Sequence, residues 1–242
     1  MVELFGNLRK EYPLSAAIRE AKGRGILPVV VDIKPVSPRD GDLVGPRDAA
    51  DLGRTFVEAG ACALSVVTEP RHFGGSLAAL RRVCEAVQVP VLQKDFFSSV
   101  SQVEESRKQG AAAVLLILAT TPDPLASALY RRARELALEV VVEIHTRQEL
   151  ERSLALSPTI IGINNRDITR LETDSGDVRV TENLAPHVPH GIVKISESSL
   201  RNEQEIRRAF VAGADAALVG TAVLQAGDPG AFLSRLMSGG RV

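Results

Sequence analysis

The sequence predicts an α/β fold of the (β/α)8 barrel type, with a short N-terminal helical extension. Eight short runs rich in Val, Ile, Leu and Ala recur along the 242 residues. They are continuous rather than alternating, which is typical of parallel strands covered on both faces. Helical patterns with polar residues at every third or fourth position separate most of the runs. Eight strands in this length favour a closed barrel over an open sheet.

The predicted strands leave room for a helix between most neighbours. They cover residues 29–33, 63–67, 90–92, 113–118, 140–144, 160–163, 192–195 and 216–219. The clearest helical patterns cover residues 48–58, 76–87, 100–109, 123–136, 146–156 and 202–211. Four residues with side chains suited to an N-cap mark helix starts, and Pro124 lies just inside one of these helices. They are Ser76, Asp123, Thr146 and Asn202.

A short internal repeat supports a ring of βα units. Gly60, Gly110 and Gly213 each follow a predicted helix and precede small residues that open the next strand. Glycine is common at this position because it adopts the left-handed conformation that ends a helix. The chain shows no open-sheet dinucleotide motif, since Lys34-Pro35-Val36-Ser37 follows the first strand instead of a glycine-rich turn.

The ends of the barrel region are also predicted. Residues 3–24 indicate one extra helix, broken at Pro13. Residues 36–47 indicate a long first βα loop, of the kind that covers or binds ligands. No linker or change of composition divides the chain. We therefore predict one domain over residues 1–242, with 1–27 as the extension and 28–242 as the barrel.

Composition favours small-molecule chemistry. The net charge is -1, with 45% hydrophobic and 24% charged residues, so we expect neither a nucleic-acid nor a membrane partner. No apolar stretch reaches the roughly 20 residues that span a bilayer, and Met1 is not followed by a signal-peptide pattern. These features predict a cytoplasmic protein. Cys62 and Cys84 lack metal-ligand spacing and are predicted to be buried, reduced thiols.

Polar side chains stand at the C-terminal ends of most predicted strands, which lie on one face of a closed parallel barrel. They are Asp32, Lys34, Lys94, Glu143, Asn164, Arg166 and Glu197. Two lysines at one mouth suit an anionic substrate, and one can serve as a general acid. A carboxylate such as Glu143 inside an apolar run is costly unless it is paired or functional. The alternatives are solvated lysines and a simple salt bridge to Glu143.

The loops after the seventh and eighth strands indicate a phosphate site. Ser198 and Ser199 lie in the first loop, and Gly220 and Thr221 follow the last strand. Together with Lys34 and Arg166 they predict a phosphorylated small-molecule substrate. Gly220 suits an ordinary turn equally well.

The histidines show no pairing typical of a metal site. We interpret all four as non-catalytic surface or loop residues: His72, His145, His187 and His190. Nothing in the sequence requires a metal or an organic cofactor.

Ordered motifs along most of the chain, from about residue 28 to 225, resemble those of indole-3-glycerol-phosphate synthases. They are Asp32-Ile33-Lys34-Pro35-Val36-Ser37-Pro38, Ser65-Val66-Val67-Thr68-Glu69, Phe73-Gly74-Gly75-Ser76, Lys94-Asp95-Phe96, Val142-Glu143-Ile144-His145, Gly162-Ile163-Asn164-Asn165-Arg166 and Ser196-Glu197-Ser198. The resemblance implies a (β/α)8 barrel of tryptophan biosynthesis. The implied reaction converts 1-(2-carboxyphenylamino)-1-deoxyribulose 5-phosphate to indole-3-glycerol phosphate, CO2 and water.

The resemblance also implies roles for individual residues. Lys94 would be the general acid of ring closure and Glu143 the acid/base group of dehydration. Lys34 would contact the substrate's carboxylate or phosphate and assist proton transfer. The groups that orient lysines and substrate would be Asp32, Asn164 and Glu197. The remaining contacts to the substrate would come from Ser37, Phe96, Arg166, Ser198, Ser199, Gly220 and Thr221. The resemblance implies no cofactor and leaves open an association with other enzymes of the pathway.

Some features depart from the family pattern. Asp32 stands where the family usually has glutamate, Ser199 where glycine is common, and Gln93 where many relatives have arginine; the extension is short.

Two other functions stay open. A phosphoribosylanthranilate isomerase would use a cysteine after the first strand, which this chain lacks. A non-catalytic barrel that binds a phosphorylated metabolite would be expected to lose Lys94 and Glu143.

Overall fold

The computed structural model describes residues 12–171 and 173–238. Within them, eight parallel strands close into a barrel in chain order, and the first pairs with both the second and the last. They are β1 (Val29–Ile33), β2 (Ala63–Val67), β3 (Val91–Lys94), β4 (Ala113–Ile117), β5 (Glu139–Ile144), β6 (Ile160–Asn164), β7 (Val193–Glu197) and β8 (Ala216–Val219). The predicted (β/α)8 barrel is confirmed.

Helices cover the outside of the barrel. They are α1 (Leu14–Gly23), α2 (Ala49–Glu58), α3 (Leu77–Ala86), α4 (Val100–Lys108), α5 (Asp123–Glu135), α6 (Arg147–Leu154), α7 (Arg179–Leu184), α8 (Glu203–Val211), α9 (Thr221–Leu224) and α10 (Pro229–Ser238). All six predicted helices are present. The first βα loop contains a two-stranded hairpin, Val36–Ser37 with Gly41–Asp42. None of the helices in the described part of the chain is long and apolar enough to cross a bilayer.

Three strands extend further than their apolar runs. β3, β6 and β7 include Lys94, Asn164 and Glu197, which pair in register with neighbouring strands. The prediction ended each strand at its last apolar residue, although backbone pairing does not depend on side-chain polarity. These polar groups are therefore held by the sheet itself.

Most predicted helix starts are correct. The side chains of Ser76, Thr146 and Asn202 each accept a hydrogen bond from a backbone N–H in the first turn of their helix. Asp123 is not an N-cap, because the extended residue before α5 is Pro122 and Asp123 is already helical. The fixed φ of proline suits that position just outside the helix. The carboxylate of Asp123 instead pairs with Arg152 at 2.6 Å.

The N-terminal helix covers one end of the barrel. Leu14 and Ile18 of α1 are fully buried against residues of the barrel interior. Ser15, at the start of the same helix, donates two hydrogen bonds to the Glu139 carboxylate. The part of the predicted extra helix before residue 12 lies outside the described residues. The division into extension and barrel domain stays a prediction.

The cysteines and the repeated glycines are also located. Cys84 is buried and Cys62 is half-buried, so the predicted burial is correct for Cys84 and only partly so for Cys62. Burial raises the pKa of the Cys62 thiol to about 12. Gly60, Gly110 and Gly213 have φ values of 106°, 91° and 102°, which confirms that they end helices in the left-handed conformation.

Candidate active site

The polar strand ends meet in one cavity at the C-terminal mouth of the barrel. The cavity has two compartments, and Asp32, Lys34 and Lys94 line both. The lining of the first, the aromatic compartment, includes Val67, Phe73, Phe96, Leu115, Glu143 and Ile168. The lining of the second, the polar compartment, includes Arg39, Arg166, Ser198, Ser199, Gly220 and Thr221. The cavity thus offers an apolar, ring-sized surface at one end and cations with hydroxyl groups at the other.

The aromatic compartment is shaped by the loop after β2, whose motifs were noted in the sequence without a role, and by Phe96 after β3. The Phe73 and Phe96 rings are tilted against each other with centroids 6.4 Å apart, and Lys34 Nζ lies 5.8 Å from the Phe73 centroid. The Glu69 carboxylate holds this loop by accepting three backbone N–H groups from residues 71–73. Burial raises the pKa of Glu69, but these hydrogen bonds outweigh it and lower the pKa.

Lys94 is held by a buried carboxylate. Its Nζ lies 3.1 Å from Glu197 Oε2, and Glu197 is fully buried. Burial, together with the negative charges of Glu143 and Asp32, raises the pKa of Glu197 to about 7 against the lowering effect of Lys94. The pair therefore fixes the ammonium group while one of its own members titrates near neutral pH.

A glycine on the neighbouring strand makes room for Glu197. A Cβ atom on Gly162 would lie 2.2 Å from Glu197 Oε1 and 3.0 Å from a Val141 methyl group. No real Cβ contact is that short, so any side chain here would displace the carboxylate. Gly162 is a residue of the site that sequence reasoning used only as part of a motif.

Several buried carboxylate oxygens at the mouth of the barrel have no hydrogen-bond donor among the described residues. Among the described residues, Asp32 Oδ1, Glu143 Oε1 and Glu197 Oε1 accept no hydrogen bond although they are fully shielded. Buried acceptors in a folded core are nearly always satisfied. Their concentration at one mouth of the barrel is therefore what a site prepared for substrate would show.

The turn after β6 organises the polar compartment. Asn164 Oδ1 accepts the backbone N–H of Arg166 at 3.0 Å. Asn165 Nδ2 donates to Ser196 Oγ, to Glu197 O and to Ser198 O, while its Oδ1 accepts from Thr181. Asn165 thereby ties the turn after β6 to the turn after β7. Sequence reasoning did not single it out, because the amide sits beside a more obvious one.

The two serines after β7 have strained backbones. Ser198 and Ser199 have φ values of 64° and 57°, in the left-handed region that glycine occupies more easily. Ser199 therefore keeps the conformation that a glycine would adopt there, and the Asn165 bridge holds the turn in place. Two adjacent residues in this region mark a turn that the surrounding contacts must hold in place.

Gly220 allows close approach, but to the protein itself. A Cβ atom at this position would lie 3.0 Å from the Cβ atom and 3.2 Å from the carbonyl oxygen of Asp32. The end of β8 is thus packed on the end of β1, and Thr221 opens α9 directly after it. Ser37 lines neither compartment, and its hydroxyl donates to the carboxylate of Asp40, which lines the polar one.

His145 lies in a loop, as predicted, but its side chain is largely shielded from solvent. It follows β5, its side chain is 13% exposed, and the ring lies between two carboxylates, Glu143 and Glu149. His145 comes directly after the strand and two residues after Glu143, so the Glu-Ile-His order was the sequence signal for this contact. His72, by contrast, is 46% exposed beside Glu69, and His187 and His190 are exposed.

Metal ligands do not cluster in the described ranges, 12–171 and 173–238. No group of three or more His, Cys, Asp or Glu residues there is arranged to hold a metal ion. The cations at the mouth of the barrel are the side chains of lysine and arginine.

Comparisons with known proteins agree with the geometry. The family model described as indole-3-glycerol phosphate synthase matches residues 3–236. A synthase of that name from Pyrococcus furiosus is 42% identical over 226 residues, which are 93% of this chain and 97% of the relative. Indole-3-glycerol phosphate synthase 1 of Streptomyces coelicolor is 37% identical over 238 residues, 98% of this chain and 87% of the relative.

A solved structure supports the fold alone. Thiamine phosphate pyrophosphorylase from Pyrococcus furiosus superposes with a TM-score of 0.64 at 14% identity, over 89% of this chain and 95% of that one. The family model and the sequence relatives carry more weight, because they match motifs as well as fold. The chain belongs to the indole-3-glycerol phosphate synthase family.

Proposed function

We propose that the cavity carries out the reaction of its family, the decarboxylative ring closure and dehydration that yield indole-3-glycerol phosphate. The chain is accordingly a carbon-carbon lyase of tryptophan biosynthesis. One observation carries the assignment to this site. Lys94, which is held by the buried Glu197, lines both the aromatic and the polar compartment, and a second buried glutamate, Glu143, lines the aromatic one.

The two compartments suit the two ends of 1-(2-carboxyphenylamino)-1-deoxyribulose 5-phosphate. The aryl ring fits the aromatic compartment beside Phe73 and Phe96, with Lys34 near enough to pair with the ring carboxylate. The phosphate fits the polar compartment, where the hydroxyl and cationic donors are Arg166, Ser198, Ser199 and Thr221. Placing the ends apart stretches the substrate across Lys94.

Ring closure needs an acid at the ketone. The aromatic carbon that bears the carboxylate attacks the ketone carbon, and the ketone oxygen takes a proton from Lys94 to become a hydroxyl. The cationic ring then loses CO2, and the electron pair of the broken bond restores the aromatic ring. Glu197 keeps the ammonium group in place and balances its positive charge before the proton leaves.

Dehydration needs a second proton transfer. The hydroxyl leaves as water after it accepts a proton, and the adjacent carbon loses one to form the indole double bond. Glu143, buried in the wall of the aromatic compartment, is the proposed acid/base group. Asp32 and Asn164 are proposed to orient the lysines and the Arg166 turn.

Product analysis tests the proposal. The purified protein is mixed with the substrate, and indole fluorescence and CO2 release are followed together. We expect both signals to rise in a ratio of one to one. Fluorescence-silent turnover without CO2 would support the isomerase, and substrate binding without turnover would support the non-catalytic barrel.

Two broader expectations remain predictions. The biosynthetic role of the family supports a cytoplasmic location, and association with other enzymes of the pathway is open to test by copurification. Neither is needed for the chemistry proposed above.

A further inference from the structure

Three side chains form a row at the end of β5, and Glu143 is the only one of them that the proposed reaction uses. His145 Nε2 lies 3.4 Å from Glu143 Oε1, and His145 Nδ1 lies 3.1 Å from Glu149 Oε2. The glutamates are 1% and 13% exposed, and the histidine is 13% exposed. We call this set the Glu149-His145-Glu143 row.

Glu149 is fixed independently of the ring. Its Oε2 also accepts the backbone N–H of His145 at 2.7 Å, and its own backbone N–H donates to Thr146 Oγ1 at the start of α6. A carboxylate held at a helix start leaves the imidazole little freedom, because the ring must keep Nδ1 toward Glu149. The histidine therefore presents Nε2 to Glu143 in a defined direction.

The charges favour a protonated ring. Burial lowers the pKa of His145, but the hydrogen bond to Glu149 and the negative charge of Glu143 outweigh it and raise the pKa. Burial raises the pKa of Glu149, and the hydrogen bonds with His145 outweigh it and lower the pKa. Two further carboxylates, Glu197 and Asp167, act on the ring through space.

His145 and Glu143 are close to each other but not hydrogen-bonded. Glu143 Oε1 and His145 Nε2 are both buried and make no hydrogen bond within the described residues. Their separation is slightly beyond the usual N–H···O range, so a small rotation of either side chain would form the bond. The largely buried ring therefore stands where a single hydrogen bond would connect it to the proposed acid/base group.

We propose that His145 is a positioning residue that holds the Glu143 carboxylate for its proton transfers. The inference rests on the proposed function. By donating from Nε2, the ring would fix one oxygen of Glu143 and leave the other for the substrate. The same donation would stabilise the carboxylate after it gives up its proton.

Two conservative variants separate the contacts of the ring. In His145→Gln the amide nitrogen lies where Nε2 was, so the donor toward Glu143 is kept. In His145→Asn it lies where Nδ1 was, so only the donor toward Glu149 is kept. His187→Gln, at an exposed position, is the matched control.

Steady-state kinetics of indole formation tests the proposal. We expect His145→Asn to lower kcat roughly ten-fold or more, a share of the about 10²- to 10⁴-fold that a positioned acid/base group contributes, with KM changed less than about two-fold. His145→Gln should recover most of kcat, and His187→Gln should match wild type. Equal kcat values for both variants and wild type, or an effect on KM alone, would overturn the inference.

A measurement on the folded protein guards against variants that fail to fold. In nitrogen NMR of the histidine rings, the pKa of His145 should fall in Glu143→Gln and stay unchanged in Glu139→Gln. An unchanged value in both would overturn the inference without any reference to activity. Inactive wild type with a normal His145 response would instead count against the proposed function, so the two failures are distinguishable.

Discussion

Two buried glutamates on the same strand show how one residue type serves two ends of the barrel. Glu139 and Glu143 lie four residues apart on β5 and face the barrel interior on either side of Val141. Their exposures are similar, 8% and 1%. Glu139 accepts two hydrogen bonds from Ser15, at 2.8 and 2.6 Å. Glu143 Oε1 accepts none among the described residues.

The difference separates stability from chemistry. A buried carboxylate with full partners stabilises the contact it makes, whereas one without partners raises the free energy of the folded state. In this barrel the satisfied carboxylate fastens α1 to the N-terminal face, and the unsatisfied one faces the cavity. Mutations should therefore affect stability at one end and turnover at the other.

The largest effect is expected at the C-terminal end from Lys94→Met. The change removes the proposed acid but keeps the bulk of the side chain, so ring closure should slow roughly 10³-fold or more. Glu197 has a raised pKa and can bind a proton once its partner is lost, so the fold should survive. Stopped-flow indole fluorescence and a thermal melt measure the two quantities. A residual rate within ten-fold of wild type would remove Lys94 from the role of acid.

Glu143→Gln should be nearly as damaging to turnover and harmless to the fold. The amide keeps the shape but cannot exchange a proton, so we expect kcat to fall roughly 10²- to 10³-fold. Because Glu143 Oε1 accepts no hydrogen bond from the described residues, a neutral amide of the same shape should change the melting temperature little. A clear loss of stability with normal kcat would reverse the roles that the comparison assigns.

Gly162→Ala tests how far the site depends on the position of the Glu197 carboxylate. The new methyl group would displace the Glu197 carboxylate, and with it the ion pair to Lys94. We expect kcat to fall roughly ten- to a hundred-fold and stability to fall by about 1–3 kcal/mol from overpacking. The control is Gly23→Ala, where a Cβ atom meets nothing within 4 Å. Normal kinetics in Gly162→Ala would show that Glu197 has room to relax.

The pH dependence should show an acid limb set by Glu197. Its pKa is raised by burial to about 7, so lowering the pH through about 7 protonates the partner of Lys94 and should reduce kcat/KM about ten-fold per unit. Three neighbouring charges also shift the pKa of Glu197: Lys94 lowers it, and Glu143 and Asp32 raise it. In Glu197→Gln the acid limb near pH 7 should disappear, and the plateau value of kcat/KM should be lower than in wild type. If the limb persists in this variant, it belongs to another group.

The same shift has the opposite sign for stability. A carboxyl group with a raised folded-state pKa stabilises the fold fully below its unfolded value of 4.5, and that contribution is lost as pH rises through about 7. Above about pH 7 the protein thus keeps an ionised Glu197, which the proposed mechanism needs although ionisation costs stability. Between pH 5 and pH 8 the unfolding free energy of wild type should fall more than that of Glu197→Gln, as measured by denaturant melts at the two pH values.

Sequence reasoning located the barrel well because its signals are local. Continuous apolar runs, N-cap residues and left-handed glycines each depend on a few neighbouring residues, and the polar strand ends converge by topology alone. The roles of His145 and Gly162, by contrast, depend on residues that are near them only in the folded structure. A histidine two residues after a strand glutamate and a glycine inside a strand look ordinary until Glu149 and Glu197 are placed beside them.

Glu139→Gln completes the comparison with the smallest effect on turnover. The amide loses one acceptor and the negative charge that receive the two Ser15 hydrogen bonds, so we expect a loss of about 1–2 kcal/mol of unfolding free energy. The cavity lies at the other end of the strand, so kcat and KM should stay within about two-fold of wild type. Denaturant unfolding and indole kinetics on one preparation measure both. Because Glu139→Gln and Glu143→Gln are the same chemical change on the same strand, a matching loss of kcat in the two variants would mean that position along β5 does not decide function.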